Sequence, residues 1–222
     1  MELYHVLNRG VDKRDIFMDA SDYLRFVHDM WEFNDIAPTQ HAHHSFKNLD
    51  LRNPNFTEKN AGTAIVDIHG WCLMKNHYHL LLSERVEGGL TKFLRKLNVG
   101  YANYFNERHE REGSLFQGRT KRVLIERDAH FMHILHYIHF NPLDFVSTAS
   151  GWREHAIEKI TDAKRQLELY RWSSYHDYCG KKNFPSILTR DLFSDSSVQF
   201  EREALAYLRD MTTADMTHMI LE

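Results

Sequence analysis

The order of strand-like and helical segments is the feature that most limits the fold of this chain of 222 residues. The strand patterns lie at 3–9, 63–73 and 79–84, with an irregular strand at 115–126. The helical patterns lie at 23–33, 90–110 and 128–140, with a last amphipathic helix from about 198. Because antiparallel strands alternate with helices and no segment repeats, we expect an α+β sandwich, with the sheet on one side and helices on the other.

A polar stretch at 38–62 separates the first helix from the second strand. It is rich in Asn, His and Thr and longer than an ordinary connection, so we interpret it as an insertion or a long loop. The segment patterns are clear up to about residue 145 and less informative beyond it. We therefore predict a main domain at 1–145 and a C-terminal extension at 146–222 that packs on the same domain.

Composition sets broad limits on the class of protein. A hydrophobic content of 42% indicates a folded chain, and the formal net charge of −3 means that any nucleic-acid contact must come from a local basic patch. No run approaches the roughly 18 apolar residues that are needed to cross a membrane. The cysteines, Cys72 and Cys179, lie far apart in the sequence, which fits a reducing compartment. We expect a soluble cytoplasmic protein without a membrane partner.

Histidine is unusually frequent, with 16 residues, and two of these histidines stand two positions apart in His77-Tyr78-His79. In a strand, residues two apart project from the same face, so two imidazoles could hold one metal ion while Tyr78 points into the core. The alternative is that a histidine-rich chain produces this spacing by chance on an exposed strand. Two ligands do not complete a site, so a third must come from elsewhere.

Tyr137 and Asn141 have the spacing of residues on one helical face, in the sequence HYIHFNPL. The Asn141 amide oxygen could complete a metal site, and the Tyr137 phenol could then face a bound substrate. Because the pKa of a phenol is near 10, this nucleophile needs activation, which a divalent ion can provide. His133, one turn before Tyr137, could replace Asn141 as the ligand. Taken alone, the tyrosine is more typical of packing and Asn-Pro of a helix end.

A short basic run contains Arg119, Lys121 and Arg122 and follows the aromatic residue Phe116. Arginine and lysine neutralise phosphates, and aromatic rings stack on unpaired bases. Arg9 and Arg14 flank the first turn and could extend the same surface. Such a run is more often a solvated face, so by itself it is only weak evidence for nucleic-acid binding.

These features together resemble the single-tyrosine HUH transposases of the IS200-like superfamily, and most closely the branch associated with repetitive extragenic palindromes (REP). The motifs that carry the resemblance occur in the family's order over most of the chain: YHVLNRG at 4–10, MKNHYHLLL at 74–82, GSLFQGRTKRVLIE at 113–126, HYIHFNP at 136–142 and YRWSSYHDY at 170–178. The resemblance places the family's metal-binding histidines on His77 and His79, its nucleophile on Tyr137 and its polar third ligand on Asn141.

The resemblance also implies a fold and a reaction. The fold would be a ferredoxin-like or RRM-like antiparallel sheet with the histidine pair on a central strand. Tyr137 would attack single-stranded DNA beside a hairpin and form a 5′-phosphotyrosine with the help of Mg²⁺ or Mn²⁺. The resemblance leaves the oligomeric state open between a homodimer and a monomer. The insertion at 38–62 and the tail beyond about residue 180 depart from the family pattern.

Two other functions compete with this hypothesis. One is a non-catalytic regulator that binds hairpin nucleic acid, and the other is a metal-dependent nuclease in which water replaces Tyr137 as the nucleophile. If another tyrosine forms the covalent bond, Tyr101 and Tyr104 on the long helix are the alternatives.

Overall fold

The computed structural model describes residues 1–37, 56, 63–126, 128–154, 156–193 and 196–210. Most of the predicted insertion at 38–62 therefore lies outside the described residues. The strands are β1 (Leu3–Arg9), β2 (Val66–Met74), β3 (His77–Glu84) and β4 (Lys121–Leu124). The helices are α1 (Ala20–Phe33), α2 (Gly89–Arg108), α3 (Asp128–Phe140), α4 (Ile160–Leu169), α5 (Tyr175–Tyr178) and α6 (Ser197–Asp210).

The strands form one antiparallel sheet in the order β2-β3-β1-β4. With α1 after β1 and α2 after β3, this is the ferredoxin-like arrangement that the family resemblance implies, so the predicted fold class is confirmed. β1 and β3 are the central strands, and their register places Leu7 opposite His79 and Arg9 opposite His77. The histidine pair therefore lies on a central strand, as predicted.

Local sequence explains the helices of the first layer. The Asp19 carboxylate caps α1, because it accepts hydrogen bonds from the backbone N–H groups of Ser21 and Asp22 at 2.9 and 3.3 Å. On α2 the buried residues repeat at helical spacing and face the sheet: Leu90, Phe93, Leu94, Leu97, Tyr101 and Phe105. α2 ends at Arg108, several residues before Gly113, where the sequence predicted its end.

Helices cover both faces of the sheet, which corrects the expectation of helices on one side only. α1 and α2 pack on one face, around a core that includes Val6, Tyr78 and Leu80. α3, α4, α5 and α6 contribute to a second core on the other face, with Cys72 and Leu81 of the sheet. Because both faces are covered, β3 is buried at every position except its last.

The described residues after 145 thus include segments that pack against the same sheet as the rest of the chain. The backbone N–H of Leu73 donates to the Trp172 carbonyl at 2.9 Å, and that of Ser174 donates to the Trp71 carbonyl at 3.0 Å. The YRWSSYHDY segment is therefore attached to β2 by backbone hydrogen bonds. The division of the chain at residue 145 stays a prediction. No helix in the described ranges combines the length and apolarity needed to cross a membrane.

Candidate active site

His77 and His79 project from β3 toward the layer that contains α3. They are 6% and 0% exposed, and their ring centroids lie 5.0 Å apart with the ring planes at 81°. Each ring is held through Nδ1: that of His77 lies 2.6 Å from the Asn76 Oδ1 atom, and that of His79 lies 3.0 Å from Nε2 of His5. The Nε2 atoms are therefore the ones that would serve as ligands. The intervening Tyr78 points to the other face, where its hydroxyl donates to the Asn98 Oδ1 atom.

His5, on β1, is part of this cluster although its position predicted no role. It is 1% exposed, and its ring lies nearly parallel to that of His79, with centroids 5.2 Å apart and the planes at 18°. The strand register explains the contact, because Leu7 pairs with His79 and His5 lies two residues away on the same face.

Tyr137 lies on α3 directly over these rings. Its ring centroid is 5.8 Å from that of His5 and 6.0 Å from that of His79, both in edge-to-face geometry. On its other side, the Trp152 ring lies 5.6 Å away and the Arg153 guanidinium 5.8 Å away. The phenol is fully buried. The structure thus brings Tyr137 to His79 and His5, and its role as the nucleophile stays a prediction.

Asn141 follows α3 directly and is fully buried. Its Nδ2 atom donates to the backbone carbonyls of Tyr137 and Ile138 at 3.0 and 3.3 Å. Its Oδ1 atom accepts a hydrogen bond of 2.7 Å from the Arg153 guanidinium. The oxygen that the sequence assigned to a metal is therefore engaged by Arg153, whose guanidinium also donates to Asp144 at 2.6 Å.

The Tyr137 helix is fastened to the sheet by Ser174. The Trp71 backbone N–H donates to the Ser174 Oγ atom at 2.9 Å, and the His139 Nε2 atom lies 2.7 Å from the same oxygen. A Cβ on Gly70 would lie 2.5 Å from the Leu135 Cδ1 atom, so a larger residue there would displace the end of the Leu135 side chain. These contacts hold α3 close to β2 and so help to fix the distance between Tyr137 and the histidines on β3.

Ser174→Ala is expected to lower the free energy of unfolding by about 1–3 kcal/mol, because it leaves His139 and the Trp71 N–H as buried groups without this oxygen. Urea denaturation measures the change. Ser150→Ala, which removes an exposed hydroxyl bonded to the Ser147 carbonyl, should change stability by less than about 0.5 kcal/mol. Equal effects of the two substitutions would contradict the anchoring role.

His133, His136 and His139 on α3 contact neighbouring side chains on the side of α6 and Ser174. His136 stacks on Phe140 and contacts Tyr207, and its burial, assisted by the charge of His133, lowers its pKa to about 4. Burial also lowers the pKa of His139 well below its usual value. Both rings are therefore neutral at pH 7. The ring of His133, which was the alternative ligand, lies 4.7 Å from that of Tyr207.

The predicted basic residues separate into two neighbouring clefts. A cleft of about 330 Å³, here called the β1–β4 cleft, is lined by Leu7, Asn8, Arg9, Lys13, Gln117, Arg119 and Lys121. A groove of about 480 Å³, here called the α2 groove, contains Arg95, Asn98, Asn103, Asn106, Arg119, Thr120 and Arg122 among its lining residues. Arg119 lines both, and Arg14 lines neither.

Lys121 and Arg122 lie on opposite faces of β4. Lys121 pairs with Leu7, which pairs with His79, so its side chain projects toward the histidine face. Arg122 projects to the α2 side, where its guanidinium donates to the Thr91 Oγ1 atom at 2.9 Å. Of the predicted cations, Arg9 and Lys121 are thus the ones on the face of the histidine pair.

Comparison with known proteins identifies the relatives of this chain. Residues 38–141 match the sequence model of the family described as "Transposase IS200 like". The matched segment contains His77, His79, Tyr137 and Asn141. Over these residues the chain is similar to the IS200-like transposases. The family resemblance that the motifs predicted is thereby confirmed.

A comparison with solved structures found a similar chain. A solved structure of a REP-associated tyrosine transposase bound to a REP hairpin aligns with 88% of this chain and 89% of its own. The alignment has a TM-score of 0.44 and a sequence identity of 11%. Comparison with the curated proteins gave no match.

The rings of His77 and His79 have the spacing of two ligands on one metal ion. With metal–nitrogen distances of about 2.1 Å, two imidazoles on one ion have ring centroids roughly 4.5–5.2 Å apart, and the distance between His77 and His79 is 5.0 Å. Within the described ranges, no group of three His, Cys, Asp or Glu residues is arranged to hold a metal. Among the described residues, a third protein ligand would therefore be of another type, and the Asn141 amide is the candidate.

Tyr101 and Tyr104, the alternative nucleophiles, lie on the opposite side of the sheet from the histidine pair. The Tyr101 hydroxyl donates to the Ile16 carbonyl within the α1–α2 core, and the Tyr104 hydroxyl donates to the Asp22 carboxylate. Sequence reasoning missed His5, Trp152, Arg153 and Ser174. For His5 and Ser174 a signal existed, because both stand in family motifs.

Proposed function

We propose that this chain is a DNA transposase that cuts one strand beside a hairpin and joins the new 5′ end to Tyr137. The observation that supports this most directly is the position of the Tyr137 ring, 6.0 Å from that of His79 on the face where the histidine pair projects. The IS200-like match over the same residues supports the reaction class. The specific substrate is inferred from the family resemblance and from the basic clefts beside the site.

In the proposed reaction, the Tyr137 Oη atom attacks a phosphorus atom of the DNA backbone. The bond from phosphorus to the 3′ oxygen breaks, the phenolic proton is lost, and the products are a 5′-phosphotyrosine and a free 3′-hydroxyl. Attack by a second 3′-hydroxyl reverses the step, so the phosphodiester bond is conserved and no nucleotide cofactor is consumed. His77, His79 and Asn141 would hold a Mg²⁺ or Mn²⁺ ion, which supplies polarisation of the phosphoryl group when bound.

The burial of Tyr137 limits the access of DNA to its hydroxyl. The Oη atom is buried, and Trp152 and Arg153 of the 3-10 segment Ser150–Glu154 lie against the Tyr137 ring. A DNA strand can reach this atom only when residues around it shift. Release of Arg153 from Asn141 would at the same time make the Asn141 oxygen available to a ligand.

The test of the proposed function is covalent trapping on a single DNA strand. The purified protein is incubated with a 5′-labelled or 3′-labelled hairpin oligonucleotide and Mn²⁺, and the products are separated on a denaturing gel. A protein–DNA adduct that retains the 3′ label is the expected result. Binding without cleavage would favour the regulator, and cleavage without an adduct would favour the nuclease in which water attacks.

We propose that the DNA backbone follows Arg9, Arg14, Arg119, Lys121 and Arg122. Because each phosphate contact removed should flatten the slope of log K against log salt by roughly 0.7 for a single strand, Arg119→Ala/Lys121→Ala should reduce that slope by roughly 1.4. Fluorescence anisotropy with a labelled hairpin at several salt concentrations measures both affinity and slope.

Lys121→Ala and Arg122→Ala form a matched pair for this surface, since the residues are adjacent in sequence but lie in different clefts. Arg202→Ala, an exposed cation on α6, is the control and should leave the slope unchanged. An effect of Lys121→Ala alone would confine the DNA to the histidine face, and no effect of either would place the DNA elsewhere.

A further inference from the structure

We infer that His5 is a positioning residue that fixes the orientation and tautomer of His79 for metal binding. This inference rests on the proposed function, because it assigns His5 a role at the same site. The geometry that carries it is the 3.0 Å distance between the His5 Nε2 and His79 Nδ1 atoms, together with the nearly parallel planes of the two rings.

The hydrogen bond fixes the proton of both rings. An imidazole that ligates through Nε2 carries its proton on Nδ1, so His79 must donate and the His5 Nε2 atom must accept. His5 then carries its own proton on Nδ1. A neutral partner that holds the remaining N–H of a ligating histidine sets its tautomer and ring orientation, which is how outer residues support metal sites in general.

The position of His5 on β1 allows it to hold the His79 ring but not to bind the metal ion itself. Its Nε2 atom is directed at the Nδ1 atom of His79, on the side of that ring away from Nε2. Its sheet neighbours, Leu81 and Val123, are apolar, so an imidazole buried there needs a polar partner. His79 provides that partner.

The same ring also connects the metal site with the nucleophile. The His5 ring meets the Tyr137 ring edge-to-face, with centroids 5.8 Å apart and planes at 77°. Replacement of His5 therefore removes two separable features, the nitrogen that accepts from His79 and the ring surface that supports Tyr137. Different substitutions can test these features one at a time.

Three substitutions of His5 test separately the nitrogen that accepts from His79 and the packing of the ring against Tyr137. His5→Phe keeps an aromatic ring and removes both nitrogens, His5→Leu removes the ring as well, and His5→Gln keeps a carbonyl oxygen that can accept from His79 Nδ1. The matched control is His69→Leu, which removes an equally buried histidine on β2 whose Nε2 atom contacts the Ser83 Oγ atom at 2.8 Å. Thermal unfolding confirms that each variant is folded.

The readout is Mn²⁺ affinity by calorimetry, with the Co²⁺ electronic spectrum as a second measurement, on the full chain without DNA. We expect affinity to fall about 10–100-fold in His5→Phe and His5→Leu, to return largely in His5→Gln, and to stay unchanged in His69→Leu. If His5→Phe fails to fold, the comparison of His5→Gln with His5→Leu replaces it.

The outcomes distinguish this inference from the proposed function. Wild-type affinity in the folded His5→Leu or His5→Phe protein, or equal losses in these variants and His5→Gln, overturns the role of His5 and leaves the proposed function standing. A wild-type protein that binds neither Mn²⁺ nor Co²⁺ overturns both.

Discussion

Tyr137→Phe is expected to abolish the covalent protein–DNA adduct while leaving Mn²⁺ affinity and hairpin affinity near their wild-type values. The substitution removes the Oη atom, which is the attacking atom of the proposed reaction, and keeps the ring between His5, His79 and Trp152. Because one buried hydroxyl is lost, the free energy of unfolding should change by about 0.5–1.5 kcal/mol, too little to unfold the chain. Denaturing gels with a labelled hairpin and Mn²⁺ measure the adduct.

Tyr178→Phe is the matched control for this variant. Tyr178 is equally buried, lies in the same layer, and its hydroxyl donates to the His69 carbonyl at 2.7 Å. The control protein should form the adduct at the wild-type level. Strand cleavage that persists in Tyr137→Phe, or a wild-type adduct that maps to Tyr101 or Tyr104, would show that Tyr137 is not the nucleophile.

Much of the fold could be predicted because its signals are local. The spacing of Leu90, Phe93 and Leu97 indicates one face of a long helix, and Asp19 marks the start of α1. Two helices of the second layer, α3 and α6, were predicted, but their packing on the second face of the sheet was not. The remaining segments of that layer after residue 145 are shorter and include 3-10 turns, so they carry weak periodicity. The unbroken apolar run Leu80–Leu82 on β3 was the available sign that both faces are buried.

The contacts of the candidate site likewise fall into local ones that the sequence predicted and tertiary ones that it did not. His77 with His79, and Tyr137 with Asn141, are local pairs whose spacing in a strand or a helix places them on one face. The contact between His5 and His79 depends on the register of β1 against β3, and that between Arg153 and Asn141 joins a 3-10 segment to the end of α3. Such contacts come from tertiary packing, which residue spacing within one element does not encode.

His77→Ala/His79→Ala is expected to remove Mn²⁺ binding and DNA cleavage together, with the adduct falling below detection. The two imidazoles project from one face of β3 with Nδ1 of each ring already held, so both are oriented to ligate through Nε2. Alanine removes both donors at once, and the remaining amide oxygen of Asn141 binds a divalent ion weakly by itself. Calorimetric titration with Mn²⁺ measures the binding, and hairpin affinity in the absence of metal should persist because the basic clefts are unchanged.

His133→Ala is the control, since it removes the histidine of α3 that could have replaced Asn141 as a ligand. Its ring contacts Tyr207, so we expect wild-type Mn²⁺ affinity and adduct formation after its removal. Loss of binding in His133→Ala would move the third ligand from Asn141 to His133. Undiminished Mn²⁺ affinity in the double histidine variant would place the metal outside the β3 pair, and Tyr137 would then lack the activation that its position over His79 suggests.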